Sequence, residues 1–249
     1  IYTSMGQTAE YVASRYGVSR ADQDQFAVAS HQKAAAATRE GRFKDEIVAV
    51  PVSITTLGGD GQLSTQEMVF DYDEGIRGDV SVEGLGKLKP AFVPGGTVTA
   101  GNSSQTTDGA SAVVMMSLDK ARELGLKPRL KFVGFAVHGC APDEMGIGPV
   151  FAIPKVLKQT GLSLGDIGLI ELNEAFASQS LYCIRELGIH PDIVNVNGGA
   201  IALGHPMGST GSKLTVSLMN EMERRQVKYG MVSMCIGGGQ GAAGIFELC

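Results

Sequence analysis

Residues 195–213 read NVNGGAIALGHPMGSTGSK. The run gathers glycines, two asparagines, one proline and one histidine into a turn-rich segment that leads into a helix. So much backbone freedom in one place is expected where another group must approach the main chain closely. His205 stands inside it, between Gly204 and Pro206. About thirty residues later a second glycine cluster follows, Cys235-Ile-Gly-Gly-Gly-Gln-Gly241. Strand-like Ile193 to Val196 enters the first loop, strand Gly230 to Cys235 enters the second, and helix 209–226 lies between them. Strands alternating with helices predict an α/β sheet with helices on its faces.

Working outward, Ala242 to Leu248 reads as the last strand. Upstream, Ile167 to Leu172 is a strand, Asn173-Glu174 caps a helix from Ala175 to Leu187, Phe151 to Thr160 is a helix, and 138–149 is a loop. Arg129 to Val137 is a further strand, and a boundary near Pro128 divides the chain into 1–127 and 128–249. In the first part, residues 4–16 are helical. Ser19 caps a second, Ala-rich helix, with Asp22 and Asp24 in its first turn and Gly41 just past its end. That helix is half polar, so one face is expected in solvent, with His31 on it. Glu46 to Ile54 is a strand, and 56–96 is an excursion of the length that serves as a lid or binding loop. Thr97 to Ser104 resumes order, Gly109 to Leu118 (GASAVVMMSL) is a buried strand, and Asp119 to Leu126 is a short helix. A faint internal echo joins 101–118 to 235–248: both run glycine loop, polar residues, Gly-Ala, then a strand.

Composition narrows the function. The 249 residues are 43% hydrophobic and 19% charged, which fits an ordered globular chain. The net charge of −5 and the lack of a basic run give no support to nucleic-acid or anionic-membrane binding. No apolar run reaches the ~18 residues of a membrane span. The four cysteines are too scattered for a disulfide framework or a zinc site, and a reducing compartment is the simpler reading. The chain begins without Met and in mid-pattern, so a fragment or processed piece is expected.

The chemistry-bearing residues sit in the two glycine loops. A histidine on a stiff Gly-x-Pro turn is placed by backbone, which suits a general base or a donor to an oxyanion; the competing reading is a histidine satisfied by loop carbonyls. Cys235 ends an apolar strand and faces glycine amides that could stabilise a thiolate or donate to an oxyanion; the competing reading is a small core residue. Asn173-Glu174 occupies a strand-to-helix junction, where α/β folds place sites, although Asn is also a good helix cap. The order Ser212-Lys213-Leu214 lacks a phosphate-loop core, and GGGQG lacks dinucleotide spacing, so neither nucleotide class is expected.

NEAFA (173–177), NGGAIALGHPMGSTG (197–211) and CIGGGQGAAGIFE (235–247) resemble, in order and spacing, the C-terminal signature blocks of thiolases. The resemblance extends to MGQTAE (5–10), VTAGNSSQTTDGASAV (98–113) and MGIGP (145–149), and so covers essentially the whole chain. It implies the thiolase fold, layered α-β-α-β-α and here incomplete at the N-terminus, with 1–127 as the remainder of the N-terminal half, including the loop region 56–96. Residues 128–249 are then the C-terminal half. It implies that His205 activates the acyl-accepting thiol and that Cys235 exchanges the α-carbon proton. Asn173, through a water, joins His205 in binding the thioester oxygen. The Gly237 amide contributes to a second oxyanion hole. Ser104 would touch the pantetheine arm of coenzyme A, and Met145 and Phe176 would line its apolar part. Coenzyme A enters as substrate, with no tightly bound cofactor and no metal.

The family's acylated cysteine belongs to a block that no residue here matches. The chain is therefore expected to lack the covalent step by itself, with a missing N-terminal thiolase segment as its partner. A homodimer or homotetramer is implied, in the bacterial cytoplasm or, alternatively, a mitochondrion or peroxisome. The competing function is a non-catalytic thiolase-like module that binds acyl-CoA or lipid.

Overall fold

The computed structural model describes residues 3–249. Its organising element is a four-stranded sheet built from β3 (Leu130–Gly139), β4 (Leu169–Leu172), β5 (Tyr229–Ile236) and β6 (Gln240–Leu248), in the order β3-β6-β5-β4. β3 and β5 run antiparallel to β6, whereas β4 runs parallel to β5. β4 and β5 form because Leu, Ile, Met and Val alternate between two covered faces, whereas β3, at the sheet edge, leaves Phe132 and Phe135 exposed. On one face Ile170, Leu172, Met231, Ala243 and Ile245 meet α5 (Gly148–Thr160) and α6 (Ala177–Glu186) in the main core. On the other, Leu169 and Val232 meet Leu214, Leu218 and Met222 of α8 (Thr210–Arg225). Fully burying side chains of this size contributes about 1.5–3 kcal/mol each.

The first part of the chain is attached to this sheet by helices and buried polar contacts. α1 (Met5–Arg15) starts at a Ser4–Gln7 capping box, and α2 (Arg20–Arg39) starts at Ser19, whose hydroxyl accepts the Asp22 N–H. The buried Glu10 carboxylate of α1 accepts the Thr97 and Val98 N–H groups and the Thr97 hydroxyl. β1 (Val50–Leu57) and β2 (Leu63–Phe70) form an exposed antiparallel hairpin. α3 (Val82–Gly86), α4 (Leu118–Glu123) and α7 (Ala200–Leu203) are short.

The sequence expectations need six corrections. Gly109 to Leu118 is not a buried strand: it pairs with no strand of the described residues, and Val114 and Met115 are 86% and 70% exposed. The strand expected over Glu46–Ile54 starts at Val50 and runs to Leu57, and the excursion begins as its return strand β2. Ile193 to Val196 makes one parallel bridge, Ile170 to Val194, and no strand. The reason is Asn195: at φ +44° it leaves the extended region, and its side-chain amide bonds both the N–H and the C=O of Leu172 in place of a neighbouring backbone. His31 is buried, not on a solvent face: its Nδ1 accepts the Arg77 N–H and pins the chain after the hairpin to α2. Asn173-Glu174 does not cap α6. Phe176 occupies that position, which frees both polar side chains for other contacts. Within 138–149, β3 continues to Gly139, and a 3-10 turn spans Pro142–Ile147.

Candidate active site

The sheet delivers the candidate groups at one end. β4 finishes at Leu172, and the Asn173 N–H continues the parallel ladder by donating to Ser233 O. Glu174, next along, is a buried hub. Its carboxylate accepts from Ser30 Oγ of α2 at 2.6 Å, from Asn195 Nδ2 at 2.8 Å and from the Ile201 N–H of α7 at 3.3 Å. The loop before α7 passes through a gap with no room for side chains. A Cβ at Gly198 would lie 2.6 Å from Ser30 O, where φ is +84°, and one at Gly199 would lie 2.2 Å from the Glu174 carboxyl carbon. The glycines of the first loop thus let α2, Glu174 and α7 close on one another. That fixes where α7 ends and the His205 turn begins.

His205 and Asn173 meet. Asn173 Nδ2 lies 3.4 Å from His205 Nε2, and His205 Nδ1 lies 2.7 Å from Thr210 Oγ1. Thr210 gives its own hydroxyl proton to Pro206 O, so Nδ1 carries the ring proton and Nε2 keeps its lone pair. Burial, and then the charge of Lys213, push the His205 pKa below its usual value. The ring is therefore neutral at neutral pH and offers a basic nitrogen beside an amide donor. Asn173 is itself buried, and its Oδ1 has no partner.

Cys235 lies near the end of β5, packed with Ala9, Val98, Ala175 and Phe176. Burial pushes its thiol up to about 12, so the thiolate expected from the neighbouring glycine amides is not the resting form. Proton donation, rather than nucleophilic attack, suits such a group. Gly237 opens the β5–β6 turn and is exposed; Gly238 and Gly239 follow at φ +88° and +94°, conformations that favour glycine. Ser104 donates its N–H to Ala175 O, and the adjacent Ser103 bridges Phe176. Phe176 meets Phe92 edge to face at a centroid distance of 6.0 Å. Met145 is buried, and its carbonyl faces Cys140 Sγ at 3.8 Å; the Cys140 N–H binds Gly239 O.

The 173–177 junction therefore gathers Asn173 with His205, Phe176 with Cys235, and Ala175 with Ser104. Met145 reaches the glycine turn only through Cys140. The roles of Thr210, Lys213 and Asn195 escaped the sequence reading, and Glu174 was noted only for its place at the strand-to-helix junction. The one available signal was a hydroxyl five residues after the histidine, at the start of a helix. Among the described residues no helix is long and apolar enough to cross a membrane.

Comparison with known proteins places these groups in context. Residues 126–248 match the family model described as thiolase, C-terminal domain, and residues 2–119 match thiolase, N-terminal domain. The chain is 62% identical over 248 residues to the 3-ketoacyl-CoA thiolase of Bacillus subtilis, covering 100% of this chain and 63% of that protein. It is 53% identical over 246 residues to the peroxisomal 3-ketoacyl-CoA thiolase A of Mus musculus, covering 98% and 57%. Among solved structures it superposes with a TM-score of 0.90 and 44% identity on human mitochondrial 3-ketoacyl-CoA thiolase in complex with CoA, covering 98% of this chain and 59% of that one. The corresponding values for the Bacillus anthracis acetyl-CoA acetyltransferase are 0.91, 44%, 98% and 60%. The chain thus spans about three-fifths of the length of these relatives.

Proposed function

The chain belongs to the thiolase family and has the thiolase fold, and from that premise we propose that the protein is an acyltransferase acting on 3-ketoacyl-CoA. In the thiolytic direction the bond between C2 and C3 breaks. Acetyl-CoA leaves as an enolate that takes a proton at carbon, and the remaining acyl group passes to the thiol of free coenzyme A. The reverse is a Claisen condensation.

The observation that carries this reading is the pairing of His205 Nε2 with Asn173 Nδ2, with the Nδ1 proton held on Thr210. A neutral imidazole so held accepts the proton of the attacking thiol, and as imidazolium it then steadies the thioester oxygen. Asn173, through a water, is the second partner of that oxygen. Cys235, with its thiol held protonated by burial, supplies the proton to the enolate and is left as a thiolate; in condensation that thiolate takes the α-carbon proton back. The Gly237 amide serves a second oxyanion. Ser104 meets the pantetheine arm, and Met145 and Phe176 line its apolar part. A non-catalytic binder of acyl-CoA or lipid would need none of these groups in these protonation states.

The acylated cysteine is proposed to lie in a segment upstream of these residues. The 63% coverage of the Bacillus subtilis relative supports this, as does the exposed apolar run at Val113–Met116, which such a segment would cover. By itself this chain is proposed to be inactive. The division is placed at 1–127 and 128–249, in keeping with family matches that end at 119 and resume at 126. A homodimer or homotetramer in the bacterial cytoplasm completes the proposal; the higher identity to the bacillar than to the murine peroxisomal relative supports that compartment.

The test combines intact mass with kinetics. Denaturing mass spectrometry of the purified protein identifies every species present, and acetoacetyl-CoA cleavage with free coenzyme A is then followed in H205A. Undiminished turnover in that variant would discard the assignment.

A further inference from the structure

α8 grips the His205 turn at two points. Thr210, in its first turn, takes the Nδ1 proton of His205; Lys213, three residues on and therefore on the same helix face, donates from Nζ to Leu203 O at 3.0 Å. Leu203 ends α7, and Gly204 and His205 follow it directly. The two contacts thus hold the start and the end of one short turn. Lys213 also lines a small enclosed cavity behind the site, together with Asn173, Glu171 and Phe43.

Two carboxyl groups interact electrostatically with Lys213. Glu171, on β4, lines the same cavity and is 5% exposed, and its carboxyl makes no hydrogen bond to any described residue. Glu46, on the loop after α2, is held by Ser217 Oγ at 3.1 Å and Asn220 Nδ2 at 3.0 Å. Burial first, then the charges of Glu46, Glu174 and Glu221, push Glu171 well above the usual carboxylate range, with Lys213 pulling it back down. Glu46 is also raised by burial, with Lys213 pulling it back down and Asp73 opposing. Asn173 and Thr210, the other groups against the His205 ring, carry no charge. The Lys213 ammonium acts on both carboxyl groups, and its field also reaches His205.

We propose that Lys213 is a positioning residue for His205: by tying Leu203 O to α8 beside Thr210, with Glu46 and Glu171 as the nearby carboxyl groups, it fixes the turn that holds the ring on Asn173. The catalytic consequence rests on the acyltransferase reading; the placement of the ring does not. A lysine at this point does two things through one group. It ties down the carbonyl from which the turn departs, and it disfavours a second positive charge on the ring.

The decisive experiment follows the His205 Cε1 resonance in the purified protein with 13Cε1-labelled histidine, assigned by its loss in H205Q. In K213M the His205 titration midpoint rises; in K213R it stays with wild type. The kcat of K213M for acetoacetyl-CoA falls by on the order of tenfold to a hundredfold, with KM within about twofold. The acid limb of its pH profile moves with the resonance. An unmoved midpoint in folded K213M overturns the proposal. Should K213M fail to fold, E46Q decides: removing that carboxylate lowers the midpoint, and an unmoved midpoint there overturns the proposal equally. A protein that carries the upstream segment, is inactive and still shows the rise in K213M supports the positioning role while sinking the acyltransferase reading.

Discussion

Two stretches of this chain share one pattern and meet opposite fates. CIGGGQGAAGIFEL (235–248) and GNSSQTTDGASAVVMMSL (101–118) both pass from a glycine loop through Gly-Ala into aliphatic residues. The first becomes the turn and strand β6, with Ala243 and Ile245 almost wholly buried. The second crosses the His205 loop, where Gln105 O accepts the His205 N–H and Ser111 Oγ donates to Ser209 O, and then runs on without a ladder. The residues do not differ in β-propensity enough to explain this. What differs is company: β6 lies between β3 and β5 and under α5, whereas 109–117 has no neighbouring strand among the described residues. An apolar run becomes a strand only where its backbone groups find partners and its side chains find a face.

The sharpest way to break the contrast is chemical, because the backed part is also where the candidate site is assembled. H205A is expected to lower acetoacetyl-CoA thiolysis by about 10³–10⁴-fold, read as kcat/KM on the purified protein with its upstream segment present. In wild type, activity falls as pH drops through the lowered His205 pKa, because only the neutral ring is a base, and it persists above that point. An acid limb at or above the ordinary histidine value would contradict the burial described. N173A removes one oxyanion partner and should cost about 10²–10³-fold, mainly in kcat.

Stability comes next. I245A, in the main core, is expected to cost about 2–5 kcal/mol in urea unfolding, whereas M115A, on the unbacked run, should stay within about 0.5 kcal/mol. Equal effects would mean that 109–117 is covered after all, and would erase the distinction. The smallest effect concerns pH. The folded-state pKa of Glu171 lies above its unfolded value. Its contribution to stability is therefore fully present below the unfolded pKa and is lost as pH rises through the folded one. E171Q should melt with wild type in mild acid and above it in alkali, by a few degrees; a lower alkaline melting point would mean that Glu171 is ionised and paired.

Much of the fold was legible because its signals are local. Ser19 announced a helix start, Gly125 closed α4 at φ +66°, and the β5–β6 hairpin carried its own glycine turn. The failures share a cause, since each depended on a partner distant in sequence. His31 is buried because Arg77 comes to it, and 193–196 stops short of a strand because Asn195 turns its amide onto Leu172. The site divides the same way. His205 and Asn173 stood out through their own loops. Glu174, Thr210 and Lys213 act by holding other groups and leave little trace in spacing.

The parallel pairing of β4 with β5 has a kinetic consequence. β5 and β6 are joined by a three-glycine turn and can zip locally. Leu169 reaches Gly230 only after α6, α7, the His205 turn and α8 have been looped out between them. Closing so long a loop carries an entropic cost before any contact rewards it. Asn173 sits at that closure and His205 lies within the loop, so the pair is expected to come together late, after the hairpin has formed. Substitutions at Leu169 or Ile170 should then speed unfolding more than they slow refolding, a ratio that stopped-flow measurement reads directly.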